Sequence, residues 1–193
     1  MAPAQRPETL PALHTALWQE LTRAPHDKHH EWRTPVLATV DGEAADARTV
    51  VLREVNSDDA TLLIFSDARA GKLAQLQAHP LGTLVMWSGR LSWQLRLRVQ
   101  LSAQTEGLAV ASRWARLKLS PAAQDYLSPL VPGETMTTEP DGKMPPALAS
   151  AAVERGHFAV LQARVLSVDW LELHRDGHRR ARFDDQGARW LVP

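Results

Sequence analysis

The sequence predicts a mainly β protein, an antiparallel β-barrel with helices packed outside it. Short apolar runs recur along the chain and are separated by tight-turn signals, including Asp-Gly pairs at 41–42 and 176–177. Few helical stretches lie between these runs, which argues against a doubly wound parallel sheet. The sequence contains no G-x-G-x-x-G or P-loop motif, so we expect no nucleotide held in either of those two ways.

The composition fits a single domain spanning residues 1–193. The chain has 193 residues, with 22 basic and 22 acidic side chains and no net charge. This length can bury one core, and zero net charge gives no general attraction to nucleic acid or to an anionic membrane surface. There is no cysteine, and no stretch approaches the ~20 apolar residues of a membrane span. We therefore expect a cytoplasmic protein that binds neither nucleic acid nor membranes.

The first half of the chain predicts two helices and four strands. Leucines at spacings of three and four indicate an N-terminal helix over 9–24, which Thr9 can cap. A second helix is predicted over 69–79, with Ser66 or Asp67 as its cap. The four strands are predicted at 35–40, 47–55, 61–66 and 82–87.

The next strand has the clearest pattern in the sequence. From 93 to 102 apolar and polar residues alternate, which gives the strand one core-facing side and one polar side. Solvent explains most of that polar side, but Gln94, Arg96 and Arg98 stand in line and could also wall a cleft.

A helical region over 106–127 follows and is interrupted at Ser120-Pro121. Residues 128–148 are rich in proline and glycine and predict a long loop, of the kind that is often functional. The remaining strands are predicted at 157–173, 179–183 and 188–193.

Two arginines flank an aliphatic segment of the second predicted strand. Arg48 and Arg53 are separated by an odd number of steps, so a regular strand would direct them to opposite sides of the sheet. Both can reach one ligand only where the strand lies at a barrel edge or bends at a bulge.

More cations surround the start of the second helix. Ser66 offers a hydroxyl, Arg69 and Lys72 offer charge, and a helix N-terminus presents free N–H groups. Positive charge there opposes the helix dipole, whereas a phosphate dianion would be stabilised by all of these groups together. The residues alone leave a second interpretation open, in which the arginines form exposed ion pairs with nearby carboxylates, namely Asp41, Glu43, Glu54 or Asp67.

The ordered set R-T-V-V-L-R, F-S, a lysine at a helix start and W-Q-L-R-L-R resembles the pyridoxamine 5'-phosphate oxidase-related, FMN-binding family. The resemblance is dense from 34 to 103 and resumes at 157–173 and 180–193. It implies an antiparallel split β-barrel of Greek-key type. It also implies a homodimer with FMN bound in clefts at the subunit interface.

The resemblance further implies a set of cofactor-binding residues. The flavin-binding strand contributes Arg48, Thr49, Val50, Val51 and Arg53, and the aromatic-hydroxyl pair is Phe65 and Ser66. The remaining contacts are Arg69, Lys72, Gln94 and Arg182, where Lys72 and Arg48 hold the phosphate and Gln94 meets the ring edge.

The substrate is less well defined by the resemblance. The family's arginine-proline-x-x-serine segment falls on 112–129, where the match is poor. The family's tryptophan falls on Leu171, and a substrate-binding arginine falls near His178. Arg53 and His178 are therefore the candidate substrate contacts, and FMN binding is better supported than action on pyridoxamine phosphate.

Three functions follow from these observations. The first is an FMN-dependent oxidoreductase that passes a hydride from a small substrate to the flavin. The second is a non-catalytic FMN-binding protein, a carrier or sensor. The third is a split barrel that binds heme or a deazaflavin, with His157, His174 and His178 as candidate heme ligands. The histidines at 26, 29 and 30 lack the partner spacing of a zinc site, so no metal is predicted.

Overall fold

The computed structural model describes residues 6–136 and 156–193. Nine strands form one antiparallel sheet with the hydrogen-bonded order β2-β1-β5-β6-β7-β4-β3, and β8 and β9 extend it from β7. The predicted mainly β, antiparallel fold with flanking helices is confirmed. The strands are β1 Val36–Asp41, β2 Ala44–Thr49, β3 Leu52–Asn56, β4 Thr61–Asp67, β5 Leu81–Ser88, β6 Trp93–Gln104, β7 Phe158–Glu172, β8 Arg179–Asp184 and β9 Gly187–Leu191.

The predicted strand over 47–55 is in fact two strands. β2 and β3 lie at opposite ends of the strand order, although only Val50 and Val51 separate them in sequence. At this point Val50 leaves the ladder and donates its N–H to the Pro35 carbonyl (2.9 Å). Val50 and Leu52 are both buried, which explains why the sequence stays aliphatic here. The backbone nevertheless crosses from one edge of the sheet to the other.

The alternation predicted for β6 is confirmed. Leu95, Leu97 and Val99 are fully buried on the inner face of the sheet, whereas Arg96 and Arg98 are exposed on the outer face. This inner face and its neighbours form the main core. The cross-strand register then assigns every partner of β6 to one face or the other.

Within the described ranges three α-helices flank the sheet: α1 Leu10–Arg23, α2 Gly71–Ala78 and α3 Leu108–Leu117. Helix α1 begins as predicted, with the Thr9 side chain accepting the Ala12 N–H. The predicted cap of α2 is wrong, because its N-cap position is Ala70 and no side chain bonds there. Asp67 instead accepts the Arg69 N–H (2.8 Å), which forms a turn just before the helix.

The interrupted helix predicted over 106–127 consists of α3 and a 3₁₀ helix, Pro121–Tyr126. Together they cover the outer face of β4 and β7 with a second apolar cluster that contains Trp114, Tyr126 and Phe158. The first part of the predicted 128–148 loop has no regular structure through residue 136, and the rest lies outside the described residues. No helix in the described ranges is long and apolar enough to cross a membrane.

Candidate functional site: a cationic pair beside helix α2

Arg48 lies at the centre of a side-chain network on the inner face of β2. One terminal nitrogen donates to Thr39 Oγ1 (2.5 Å), and the other donates to Gln75 Oε1 (3.1 Å) and forms an ion pair with Asp46. Thr39 and Asp46 are brought together because they are cross-strand partners in the β1–β2 hairpin. Gln75 reaches the same point from α2. The guanidinium is thereby fixed at the junction of a strand and a helix.

Lys72 lies in the first turn of α2 and faces this network. Burial lowers the pKa of its ammonium group, and the positive charge of Arg48 lowers the pKa further, while Asp67 opposes the shift. Lys72 makes no hydrogen bond or ion pair with any described residue. We call Arg48 and Lys72 the cationic pair, because two positive charges influence each other here while Lys72 has no directly bonded anion.

Thr39, Asp46 and Gln75 were not among the predicted site residues. The Asp41-Gly42 signal identifies the β1–β2 hairpin, but a two-residue Asp-Gly loop would pair Thr39 with Ala44. The observed loop lies one residue later and pairs Thr39 with Asp46, so this contact could not have been read from the signal. Asp46 and Arg48 are two residues apart and share a face of β2. Gln75 could not have been found in this way, because its contact depends on how α2 docks against the sheet.

Arg69 is close to the cationic pair but is occupied by protein groups. Its side chain forms two hydrogen bonds with Asp67 (2.7 and 3.0 Å) and also donates to the carbonyls of Ser128, Pro129 and Leu130 (3.0–3.3 Å). These hydrogen bonds with Asp67 are the main cause of the raised pKa of Arg69. Ser66 is buried, and its hydroxyl donates to the backbone oxygen of Asp67. Both predicted residues lie at the start of α2 as expected.

Arg53 is the extra residue of a β-bulge. Leu52 pairs with Ile64 and Glu54 pairs with Leu63, so β3 uses two steps where β4 uses one. Arg53 lies on the outer face of the sheet, where its guanidinium is 5.7 Å from the Phe65 ring centroid, and the bulge brings Glu54 opposite Leu63 on the same face. The sequence left open whether the segment lies at a sheet edge or bends at a bulge. The structure has both features, since the chain crosses between sheet edges at Val50 and Val51 and then bulges at Arg53.

A cavity of about 270 Å³ lies beside Arg53 and is lined by Phe65, Arg113, Arg116 and Ser120. Arg113 is engaged by Glu54 (2.7 and 3.0 Å), and the Arg53 Nε is buried without a hydrogen-bond partner. Burial raises the pKa of the nearby Tyr126, and the charge of Arg53 partly opposes that rise. The cavity therefore places the guanidinium groups of Arg53, Arg113 and Arg116 beside an aromatic ring, with the Glu54 carboxylate in the same lining.

Gln94 and Arg182 lie on the outer face of the sheet, away from the cationic pair. Gln94 pairs across the ladder with Leu171 on one side and with Trp87 on the other. Arg182 lies opposite Asp169 and forms an ion pair with Asp184 (2.9 Å), although its Nε makes no well-aligned hydrogen bond. Within one chain these two residues are not brought together with Lys72.

The remaining predicted residues occupy the edge crossing and a distant turn. Thr49 is exposed, Val50 is buried and Val51 is half-buried, so the crossing segment has both a core side and an open side. His178 is exposed in the β7–β8 turn, where its Nδ1 accepts the His174 N–H (3.2 Å). His174 uses its own Nδ1 to accept the Asp176 N–H, so both rings are engaged within the turn.

The structure is thus an antiparallel β fold in which the cationic pair lies beside the start of a helix. Residues 12–104 match the family model described as "Pyridoxamine 5'-phosphate oxidase, FMN-binding domain". This region contains the cationic pair, the edge crossing, Phe65 and Gln94. Residues 12–104 are therefore similar to the FMN-binding domain of pyridoxamine 5'-phosphate oxidases, and the resemblance predicted from the sequence is confirmed.

Similar proteins agree with this family. A pyridoxine/pyridoxamine 5'-phosphate oxidase from Thermosynechococcus vestitus is 35% identical over 108 residues, which cover 51% of this chain and 49% of the relative. The match thus spans about half the length of that curated relative.

Two solved structures share the fold over nearly the whole chain. A pyridoxamine 5'-phosphate oxidase-related, FMN-binding protein from Nostoc punctiforme has a TM-score of 0.68 at 21% identity, with coverage of 100% of this chain and 99% of that one. PhzG from Burkholderia lata, solved with tetrahydrophenazine-1-carboxylic acid, has a TM-score of 0.66 at 13% identity, with coverage of 97% and 94%. The fold is that of the split-barrel family.

Proposed function

We propose that this protein binds FMN and acts as an oxidoreductase on a small anionic substrate. The observation that carries the proposal is the cationic pair, since Arg48 and Lys72 influence each other within a segment that matches an FMN-binding domain. Asp46 neutralises only one of the two cations, so their mutual repulsion is unfavourable, and a phosphate dianion would reverse that balance.

The residues present fit the phosphate end of FMN. Lys72 has no directly bonded anion among the described residues, and Arg48 is held beside it by Thr39 and Gln75. The α2 N-terminus has no side-chain cap, and although the Leu73 N–H bonds the Ala70 carbonyl, the N–H groups of Gly71 and Lys72 remain available to an anion. Each charge-assisted hydrogen bond to a phosphate would contribute about 1.5–3 kcal/mol.

The flavin ring is proposed to lie along the edge crossing at Val50 and Val51. This segment leaves the ladder and has an open side, so a flat ring can approach its backbone and its aliphatic side chains. Arg53 and Phe65 follow on the outer face, next to the cavity.

Gln94 and Arg182 would reach the same flavin only from a second copy of the chain. Ser66 pairs with Ala159 and Gln94 pairs with Leu171, so twelve residues of β7 separate them. That is about 40 Å of strand at the usual rise. Gln94 also lies on the outer face, whereas Arg48 lies on the inner one. A homodimer with FMN between protomers satisfies both sets of residues.

The outer face around Gln94 suits such a contact. Trp87, the cross-strand partner of Gln94, is 47% exposed, and Val36 on the same face is 39% exposed. Trp87→Glu should therefore give a monomer in sedimentation experiments and lose flavin retention, whereas Leu119→Glu, at the end of α3 and already 84% exposed, should change neither. A dimeric Trp87→Glu variant that retains FMN would contradict this assignment.

The cavity beside Arg53 is proposed to hold the acidic group of the substrate. Arg53 and Arg116 supply positive charge, and Ser120 supplies a hydroxyl. Two proteins with which this chain compares support an anionic substrate: the curated relative is named for phosphorylated vitamers, and the PhzG structure contains a carboxylic acid. His178 would enter this region only from the partner, as a weaker substrate contact.

When bound, FMN would supply a two-electron acceptor for hydride removed from the substrate. The chain's own groups bind and orient, because Arg48 and Lys72 fix the phosphate end and Arg53 fixes the substrate's anionic end. A donor such as Gln94 beside the polar edge of the ring would stabilise negative charge there. No proton-transfer group is required at the substrate carbon for a hydride transfer.

The absorption spectrum of the purified protein tests the proposal directly. Flavin bands and a 1:1 titration of the flavin-free chain with FMN are expected. A Soret band instead would favour the heme-binding alternative and overturn the FMN assignment.

Turnover separates the oxidoreductase from the carrier or sensor. Peroxide release and flavin reduction are followed with pyridoxamine 5'-phosphate and with a panel of small anionic reductants. Substrate-dependent reduction is expected, and its absence across the panel in a protein that retains FMN would favour the non-catalytic flavoprotein.

A further inference from the structure

Three side chains around Arg48 have no assigned role, and they form a closed hydrogen-bond network. Gln75 Oε1 accepts from Thr39 Oγ1 (2.6 Å) and from Arg48 (3.1 Å), while Gln75 Nε2 donates to Asp46 Oδ2 (2.8 Å). Arg48 in turn donates to Thr39 and Asp46. One amide group therefore orients both the guanidinium and its partner carboxylate.

Gln75 also connects the two cations mechanically. It lies three residues after Lys72 on α2, so both side chains leave the same face of the helix. Its bond to Arg48 joins that face to β2. The separation of the Arg48 and Lys72 head groups is therefore set by this cross-link, which a ligand that bridges both cations would sense.

Asp46 occupies the position of an anion on Arg48. Its side chain is 45% exposed, and hydrogen bonds from Gln75, together with the charge of Arg48, hold its pKa below the usual range, so it is ionised at neutral pH. With Asp46 ionised, Arg48, Lys72 and Asp46 together carry one net positive charge. Without that charge it would carry two, which is the charge that matches a phosphate dianion.

We propose that Gln75 is a positioning residue for Arg48 and that Asp46 is a built-in competitor anion, and that the two together set the preference of the site for a phosphorylated flavin over riboflavin. This inference rests on the proposed function. Neither residue has to touch the cofactor. Gln75 raises FMN affinity by holding Arg48 towards Lys72. Asp46 lowers FMN affinity because its carboxylate competes with the phosphate for the Arg48 guanidinium.

The test is the ratio of FMN affinity to riboflavin affinity, measured by flavin fluorescence on the full chain freed of flavin. Gln75→Leu should weaken FMN about fivefold, the equivalent of one net hydrogen bond, and leave riboflavin unchanged. Asp46→Asn, which keeps the shape and removes the charge, should strengthen FMN about threefold to tenfold and again leave riboflavin unchanged. Gln77→Leu on the same helix and Asp59→Asn, both at exposed positions, are the matched controls.

Equal loss of both flavins in Gln75→Leu would overturn the positioning role, because a general packing defect affects both ligands. Weaker FMN binding in Asp46→Asn would overturn the competitor role. Should Gln75→Leu fail to fold, the isosteric and exposed Asp46 substitution decides the competitor claim by itself, and Gln75→Glu decides whether the amide is needed, with selective FMN loss expected. A wild-type chain that binds neither flavin overturns the proposed function, and this inference with it.

Discussion

Arg48 and Arg69 are both predicted to hold the cofactor, yet their surroundings differ. Arg69 donates to a buried carboxylate, Asp67, and to three consecutive backbone carbonyls that have no rotamer freedom. Arg48 donates to side chains, of which the charged one, Asp46, is 45% exposed and can turn towards water when its hydrogen bonds break. The number of hydrogen bonds is similar, but only the partners of Arg48 can give way to a ligand.

This difference separates a binding arginine from a structural one. Displacing the Arg69 partners would leave a buried carboxylate and several carbonyls without a donor, which is costly. Displacing Asp46 from Arg48 returns a carboxylate to water at little cost. We infer that Arg69 acts mainly by neutralising Asp67 beside Lys72, and that Arg48 makes the direct contact.

Paired alanine substitutions test this comparison and carry the largest expected effect. Arg48→Ala should weaken FMN binding by about 10–100-fold, through loss of a charge-assisted hydrogen bond. Arg69→Ala should weaken it by less than about threefold. The measurement is FMN titration, with Arg175→Ala, whose side chain is 90% exposed, as the control. An equal loss in both variants would show that Arg69 leaves its partners to meet the phosphate.

Glu172 extends the comparison to a second structural carboxylate. It is buried and bonded by Arg6, Arg179 and the Trp93 indole, and although burial opposes ionisation, these bonds lower its pKa from 4.5 to about 2. Since the folded-state pKa is depressed, its stabilisation is present above pH 4.5 and is lost as pH falls towards 2.

The full loss should be at most about 3 kcal/mol, and Glu172→Gln should flatten the pH dependence of the unfolding free energy in that window. Urea denaturation at several pH values measures both quantities. The exposed Glu106→Gln serves as the control. An unchanged acid limb in Glu172→Gln would contradict a structural role for this cluster.

A smaller effect is expected at the segment that Arg69 holds. Arg69→Ala should speed amide hydrogen exchange at Ser128, Leu130 and Val131, because this segment loses the donor shared by three of its carbonyls, while exchange in β6 stays unchanged. Arg69→Lys should give an intermediate rate, since an ammonium group cannot reproduce the planar fork that spans Asp67 and the carbonyls. Identical exchange in wild type and Arg69→Ala would show that other contacts hold the segment.

The sequence predicted the parts of the fold that depend on local pattern. Strict alternation identified β6, the Asp-Gly signals identified two hairpins, and the ordered motifs indicated the family. Arg48 and Lys72 were predicted to share a ligand, and the structure brings them within electrostatic influence.

Other features depend on tertiary pairing and could not be read from the chain. The division of 47–55 into two strands and the bulge at Arg53 arise from how β3 aligns with β4 at the sheet edge. The role of Gln75 depends on the docking of α2, and the use of Arg69 depends on a segment about sixty residues away. Contacts within one strand, such as Arg48 with Asp46, can be predicted from the sequence. Contacts that a docked helix or a distant loop provides cannot.

The most direct test of the central claim compares FMN with riboflavin in Lys72→Ala. If the cationic pair holds the phosphate, this substitution should lower FMN affinity by about tenfold or more and leave riboflavin affinity unchanged, while Lys118→Ala at an exposed position alters neither. Undiminished FMN binding in Lys72→Ala, or equal loss of both flavins, would show that the phosphate is bound elsewhere.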